Sequence, residues 1–147
     1  MQMKRIVMFG LCLTLGGGSY QLLAGQAAVA AAGDGVYSAD QAKRGEAIYQ
    51  KQCVSCHGAA MDGAGPYPPL SGDEFLSKYE GQPTVTLYDM IQKLMPATNP
   101  GTLSRGDAAD VLAYILSFNK FPAGKTDLPS DEDSLKKLVL PKPAPKV

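Results

Sequence analysis

The stretch CVSCH, residues 53–57, holds two of the three cysteines and the only histidine of the chain. Two cysteines at this spacing have four common uses: a thiol–disulfide redox pair, a structural disulfide, half of a zinc site, or covalent attachment of haem. Only haem attachment requires the histidine that follows, because each thiol adds to one vinyl group and the imidazole is carried under the iron. The motif therefore favours a haem c site with Cys53 and Cys56 as attachment points and His57 as proximal ligand.

The first part of the chain has the features of a secretory signal peptide. Lys4 and Arg5 precede an apolar run at residues 6–15, and small residues suited to cleavage follow at residues 27–35. An uncleaved anchor is the alternative, but a membrane-spanning helix takes about 20 apolar residues and this run is shorter. We therefore expect cleavage of residues 1–32, export to the periplasm, and no membrane span in the mature protein.

The composition narrows the remaining possibilities. Cys12 belongs to the expected signal peptide, so the mature chain has no cysteine or histidine outside the motif to complete a zinc site. The 147 residues suffice for one domain, and 16 glycines, 11 prolines and no tryptophan indicate a loop-rich fold. A formal net charge of zero leaves no basic surface for nucleic acid, so no nucleic-acid partner is expected.

Because His57 is the only histidine, ligation by two histidines is excluded, and the candidates for a second axial ligand are the methionines. Met61 lies too close along the chain to His57 to reach the other face of the ring. Met90 falls in the middle of a predicted helix over residues 84–94 and is expected to pack in the core. Met95 precedes a proline that ends this helix, so its side chain can turn toward a cofactor. We therefore predict His57 and Met95 as the iron ligands, with Met90 as ligand, or a sixth site that is open or otherwise filled, as the alternatives.

Two further segments predict a pair of packed helices. Residues 38–53 begin at Ser38, a good helix cap, and contain Gly45, where another helix could approach closely. Residues 103–119 begin with a cap at Ser104 and carry an apolar stripe. The helix over residues 84–94 is expected to turn four side chains inward: Val85, Tyr88, Ile91 and Leu94.

The loop after the motif supplies two more candidate site residues. The backbone carbonyl of Pro68 is placed to accept a hydrogen bond from Nδ1 of His57, which would fix the imidazole ring. Leu70 is a candidate for packing against the haem, and simple loop rigidity is the alternative for both residues. Near the end of the chain, Ser130 could begin a short helix, and the last residues are proline-rich and expected to be extended or disordered.

Taken together, these motifs resemble class I c-type cytochromes of bacterial periplasms. The residues that carry the resemblance follow the order of the family: Gly45, Tyr49, Cys53, Cys56, His57, Pro68, Leu70, Gly72, Met95 with Pro96, and ADVLAYIL at residues 109–116. The resemblance implies an all-α cytochrome c fold, with three to five helices and long loops around one covalently bound haem c. It also implies that Tyr49 is a cofactor-binding residue, that residues 33–122 form the cytochrome domain, and that residues 123–147 are a partly disordered extension.

A narrower likeness concerns the electron donor. The stretch MPATNPGTLSRGDAADVLAYILSFNKFPAG, at residues 95–124, is similar to cytochromes associated with quinoprotein dehydrogenases. This likeness implies an electron carrier rather than an enzyme, reduced by a periplasmic dehydrogenase and oxidised by a terminal oxidase or another cytochrome in the respiratory chain. The alternatives are a haem c enzyme, peroxidase-like or nitrite-handling, and a ligand-binding or gas-sensing haem module. Both require an open sixth site.

Overall fold

The computed structural model describes residues 35–140, so the expected signal peptide and residues 141–147 lie outside it. The described part contains six helices: α1 (Ala39–Gln52), α2 (Val54–His57), α3 (Gly72–Tyr79), α4 (Thr84–Leu94), α5 (Arg105–Phe118) and α6 (Glu132–Lys137). Extended backbone within residues 35–140 pairs only in isolated bridges, which confirms the all-α prediction. The count exceeds three to five because α2, a single turn, is separated from α1 by Cys53 alone.

The crossing of α1 and α5 forms the centre of the fold. Ser38 caps α1 by accepting a hydrogen bond from the Gln41 N–H at 3.0 Å, as the sequence predicts. Ser104 caps α5 in the same way. At Gly45 the two helices approach so closely that an added Cβ would lie 1.8 Å from the carbonyl oxygen of Asp110. The predicted use of this glycine, close approach by another helix, is therefore confirmed.

The inward face of α4 agrees with the prediction at Tyr88 and Ile91, whereas Val85 is only partly buried. Leu94, expected inside, is 54 % exposed at the last turn of the helix. The buried positions are Thr84, Leu87, Tyr88 and Ile91. They form the stripe that a 3.6-residue helix presents to one side, whereas the prediction followed a strict spacing of three.

The C-terminal segment packs against the helices as far as residue 140. Its helix α6 is capped by Asp131, whose carboxylate accepts from the Ser134 N–H at 2.8 Å, rather than by Ser130 as expected. Leu135 and Leu140 are fully buried. The disorder expected at the end of the extension concerns residues 141–147, which lie outside the described part. Among residues 35–140, no helix is both long enough and apolar enough to cross a membrane.

Candidate functional site

The cysteine motif occupies one helical turn that continues α1. The carbonyl oxygen of Cys53 accepts hydrogen bonds from the backbone N–H groups of Cys56, at 3.1 Å, and His57, at 2.9 Å. Neither cysteine is in a disulfide. All three side chains line a single cavity, so the two thiols and the imidazole face the same space.

The orientation of His57 is fixed from the loop that follows. Its Nδ1 lies 3.0 Å from the carbonyl oxygen of Pro68, and the imidazole is 7 % exposed. A carbonyl can only accept, so Nδ1 carries the proton and Nε2 keeps its lone pair for a metal. The hydrogen bond predicted from the sequence is therefore present, and it selects the tautomer that an iron ligand requires.

The cavity has a largely apolar lining drawn from four parts of the chain. The residues predicted at the site all reach it: Tyr49, Cys53, Cys56, His57, Pro68, Leu70 and Met95. Helices α4 and α5 add Leu87, Ile91, Val111 and Ile115. A planar apolar cofactor with two reactive vinyl groups matches this lining, because burial of its surface against aliphatic side chains is favourable.

The three methionines of the described part lie in different environments. Met95 is half-buried at the C-terminal cap of α4 and lines the cavity. Met61 is fully buried outside the cavity lining. Met90 is 36 % exposed and also lines the cavity, so it lies outside the fully buried core, and its expected role as a packing residue stays a prediction. It lies on the cavity side of α4, next to Ile91, and its sulfur accepts a hydrogen bond from the Tyr79 hydroxyl at 3.2 Å.

Three aromatic residues of the site were missed by the sequence analysis. Phe75 and Tyr79 of α3 and the exposed Tyr67 all line the cavity. The spacing of four residues between Phe75 and Tyr79 places them on one face of a helix, with ring centroids 5.0 Å apart. That spacing could have been recognised in the sequence, but α3 is short and follows a stretch rich in glycine and proline, so no helix was predicted there.

The electrostatics of the cysteines argue against a redox thiol pair. Burial, and secondarily the neighbouring Cys56, raises the pKa of the Cys53 thiol to about 11. A redox-active C-x-x-C pair needs the opposite, a thiol whose thiolate is stabilised. Among the described residues, no cluster of His, Cys, Asp and Glu side chains could hold a metal ion by itself.

The donor set therefore fits haem c. Two thiols at attachment spacing and an imidazole with the correct tautomer lie in one apolar cavity. The same cavity contains a thioether from Met95. These residues would hold the group through Cys53 and Cys56 covalently and through His57 and Met95 at the iron.

Comparisons with known proteins agree with this geometry. The family model described as cytochrome c oxidase, cbb3-type, subunit III matches residues 40–115, a range that includes the cysteine motif and Met95. A thiosulfate dehydrogenase of Allochromatium vinosum is 35 % identical over 80 residues, which cover 50 % of this chain and 30 % of that protein.

A solved structure is similar in fold. The crystal structure of the sulfane dehydrogenase SoxCD from Paracoccus pantotrophus matches with a TM-score of 0.51 and 24 % identity. The match covers 68 % of this chain and 53 % of that one. The chain thus spans about a third of the curated relative and about half of the solved chain.

Proposed function

The chain belongs to the cytochrome c family described as cbb3-type cytochrome c oxidase subunit III, and from that membership we propose that it is an electron carrier with His57 and Met95 as iron ligands. When bound, haem c supplies one-electron exchange between ferric and ferrous iron. The chain's own residues hold this group covalently, orient its ligands and exclude water from it.

One observation carries the proposal: the His57 imidazole and the Met95 thioether line the same apolar cavity. The imidazole is held in place there by its hydrogen bond to the Pro68 carbonyl. If the Met95 sulfur held the iron together with His57, no position would remain for oxygen or peroxide, which favours electron transfer over oxidation chemistry. An enzyme would also need buried acid–base groups beside the iron. The charged residues that line this cavity, Glu74 and Lys78, are both exposed.

The comparisons favour a dehydrogenase as electron donor, since both similar proteins carry that word in their names. In this proposal the donor is a periplasmic dehydrogenase, for which the quinoprotein dehydrogenases are the first class to test, and the acceptor is a terminal oxidase or another cytochrome. Residues 1–32 serve as a cleaved signal peptide, residues 33–122 as the cytochrome domain and residues 123–147 as a C-terminal extension. Residues 1–32 lie outside the described part, and their role is tested by N-terminal sequencing of exported protein.

The ligation is tested by the absorption spectrum of the ferric protein. We expect a far-red charge-transfer band from methionine sulfur to iron in the wild type, and its loss in Met95→Ala. Met90→Leu provides the discriminating arm, because Met90 is the other thioether in the cavity. If Met90→Leu abolishes the band and Met95→Ala keeps it, the ligand assignment is wrong. If the wild type lacks the band and binds carbon monoxide readily, the electron-carrier proposal fails.

The match to a thiosulfate dehydrogenase favours one second candidate, a haem c enzyme that oxidises a small sulfur compound itself. The two candidates differ in what reduces the purified ferric protein. A carrier stays ferric when thiosulfate alone is added and is reduced once its dehydrogenase is supplied from fractionated periplasm. Reduction of the ferric haem by thiosulfate without any other protein, and continued thiosulfate oxidation once ferricyanide is added as electron acceptor, would establish the second candidate instead.

A further inference from the structure

Helix α4 has two faces with different partners. Leu87, Met90 and Ile91 line the haem cavity, whereas Tyr88 does not. The Tyr88 ring is 2 % exposed, and its hydroxyl lies 3.2 Å from the carbonyl oxygen of Arg105 and 3.1 Å from that of Ser130. One O–H group therefore serves two carbonyls at the point where α4, the start of α5 and the C-terminal segment meet.

The C-terminal segment is fastened along the same helix. We call residues 127–140 the strap. The Thr84 N–H, at the first residue of α4, donates to the Leu138 carbonyl at 2.8 Å, and the Leu140 N–H donates to the Gln82 carbonyl at 3.0 Å. Near the other end of α4, Lys93 forms an ion pair with Glu132 at 3.5 Å.

The opposite end of the strap is fastened to α1, the helix that leads into the cysteine motif. The buried side-chain amide of Gln41 accepts from the Leu128 N–H at 2.6 Å and donates to the Leu128 carbonyl at 3.1 Å. Arg44 pairs with Asp127 at 2.7 Å. The strap thus connects the helix that leads to the haem attachment residues with the helix that ends at Met95.

We propose that the strap and Tyr88 position Met95 for the iron. Met95 is the C-terminal cap of α4, and its backbone N–H donates to the Ile91 carbonyl at 3.2 Å, so the placement of the helix fixes where the thioether begins. Contacts on the face of α4 away from the cavity therefore act on the ligand through the helix. This inference rests on the proposed ligation by Met95, and it assigns Tyr88 a positioning role rather than contact with the cofactor.

A purely structural role for Tyr88 is separated from positioning by a matched substitution. Tyr37 is buried to the same extent, 2 % exposed, and its hydroxyl donates to the Phe121 carbonyl at 2.6 Å, outside the strap and α4. Both Tyr→Phe changes delete one buried hydroxyl that bonds to backbone. Any general loss of stability should therefore appear in both variants, and an effect on the ligand in Tyr88→Phe alone.

The measured quantity is carbon monoxide affinity of the ferrous holoprotein, together with the far-red methionine band of the ferric form. Carbon monoxide binds only when the thioether has left the iron, so its apparent affinity reports how firmly the chain holds Met95. We expect Tyr88→Phe to bind carbon monoxide about fivefold more tightly than the wild type, which is the factor that corresponds to one lost hydrogen bond. On heating, the methionine band of this variant should disappear at a lower temperature than that of the wild type. Tyr37→Phe should match the wild type in both measurements.

A second pair of variants keeps the test independent of a buried residue. Glu132 and Asp133 both pair with Lys136, but only Glu132 also pairs with Lys93 on α4. Glu132→Gln should tighten carbon monoxide binding by about twofold at low salt, a size typical of an exposed ion pair, and Asp133→Asn should leave it unchanged.

The outcomes separate the two proposals. A wild-type protein without the methionine band overturns the ligation and this inference together. A wild type with the band, and variants Tyr88→Phe and Glu132→Gln that bind carbon monoxide no more tightly than their controls, overturns the positioning role alone. If Tyr88→Phe does not yield holoprotein, the Glu132→Gln and Asp133→Asn pair decides.

Discussion

The crossing of α1 and α5 and the haem cavity are built in different ways. At the crossing, Gly45 brings the two backbones together and the rings of Tyr49 and Tyr114 lie 5.3 Å apart. Arg44 of α1 adds a bidentate pair with Asp110 of α5, at 2.9 and 3.1 Å. The contact is made entirely by groups of the chain itself, so its geometry follows from two helical stripes.

The cavity region is assembled from turns and short helices instead. Gly58 and Gly63 adopt positive φ values of 76° and 78°, which let the loop after the motif bring the Pro68 carbonyl back to His57. The apolar residues gathered here face a space shaped for a cofactor. Their burial against haem c contributes to the stability of this region in a way that no chain–chain contact replaces.

The two regions therefore draw their stability from different sources. The crossing should resist changes at the haem and fail when its own packing is disturbed. The cavity should fail when the cofactor is not attached. Each prediction below perturbs one region or the link between them.

The largest effect is expected from loss of covalent attachment, in Cys53→Ser combined with Cys56→Ser. Without thioether links the cavity loses the covalently held apolar surface against which its lining packs. We expect no pigment after denaturing electrophoresis, and a thermal transition of smaller amplitude that comes from the crossing alone. Haem staining and circular dichroism measure the two effects. Wild-type protein that releases all of its pigment into acidified acetone would contradict covalent attachment.

The crossing is tested next by Gly45→Ala. The added Cβ would meet the Asp110 carbonyl at 1.8 Å, so the helices must separate. We expect a loss of about 3 kcal/mol in the free energy of unfolding, the upper end of overpacking effects. Gly106→Ala in α5 is the control, since its Cβ finds only the Ser104 hydroxyl at 3.9 Å, and it should stabilise by up to about 1 kcal/mol. Equal effects in both variants on denaturant unfolding would refute the close approach.

The crossing was largely predictable from the sequence because its determinants are local. A cap residue such as Ser38 satisfies N–H groups of its own helix, and an apolar stripe follows the helical period whatever the partner is. A glycine in the middle of an amphipathic helix needs an explanation, and close approach is the commonest one. The cysteine motif was equally local, because its chemistry is complete within residues 53–57.

The remaining parts depend on contacts between residues far apart in sequence. That Tyr88 bonds to Ser130, or that Gln41 holds Leu128, cannot be derived from the period of either segment. Met90 shows the same limit: its place in the helix was predicted, but which neighbour it faces is decided by how α4 rotates against α5. Sequence patterns fix which side of a helix is apolar more reliably than which apolar residue reaches a cofactor.

Tyr49→Phe tests the link between the two regions and should have a smaller effect. The Tyr49 side chain lies in the crossing, and its hydroxyl donates at 2.8 Å to the Gly58 carbonyl, directly after the cysteine motif. Loss of this hydrogen bond should cost about 1 kcal/mol in the free energy of unfolding of the holoprotein, measured with denaturant. An unchanged unfolding midpoint would show that the crossing and the motif loop are not linked through this hydroxyl.

The smallest effect concerns pH and the attachment of the strap to α1. Hydrogen bonds from Ser38, and then from Arg44, hold the pKa of Asp127 below its ordinary value of 3.8. A carboxylate whose pKa is lower in the folded than in the unfolded protein stabilises the fold. This stabilisation is complete above the pKa of the unfolded protein and is lost as the pH falls through the pKa of the folded protein. Asp127→Asn should therefore lower the thermal midpoint slightly near neutral pH, and this gap should close as the pH falls below 3.8.

The acidic residue Asp131, whose pKa is also lowered by hydrogen bonds from Ser134, is present in both proteins, so its titration cancels in the comparison. Because Arg44 and Asp127 are about half exposed, the gap should also shrink at high salt. A gap that persists unchanged below the ordinary pKa of Asp127 would mean that the substitution acts through packing rather than through charge. The hold of the strap on α1 would then come from contacts that do not titrate, such as the two hydrogen bonds between Gln41 and Leu128, and would be independent of pH.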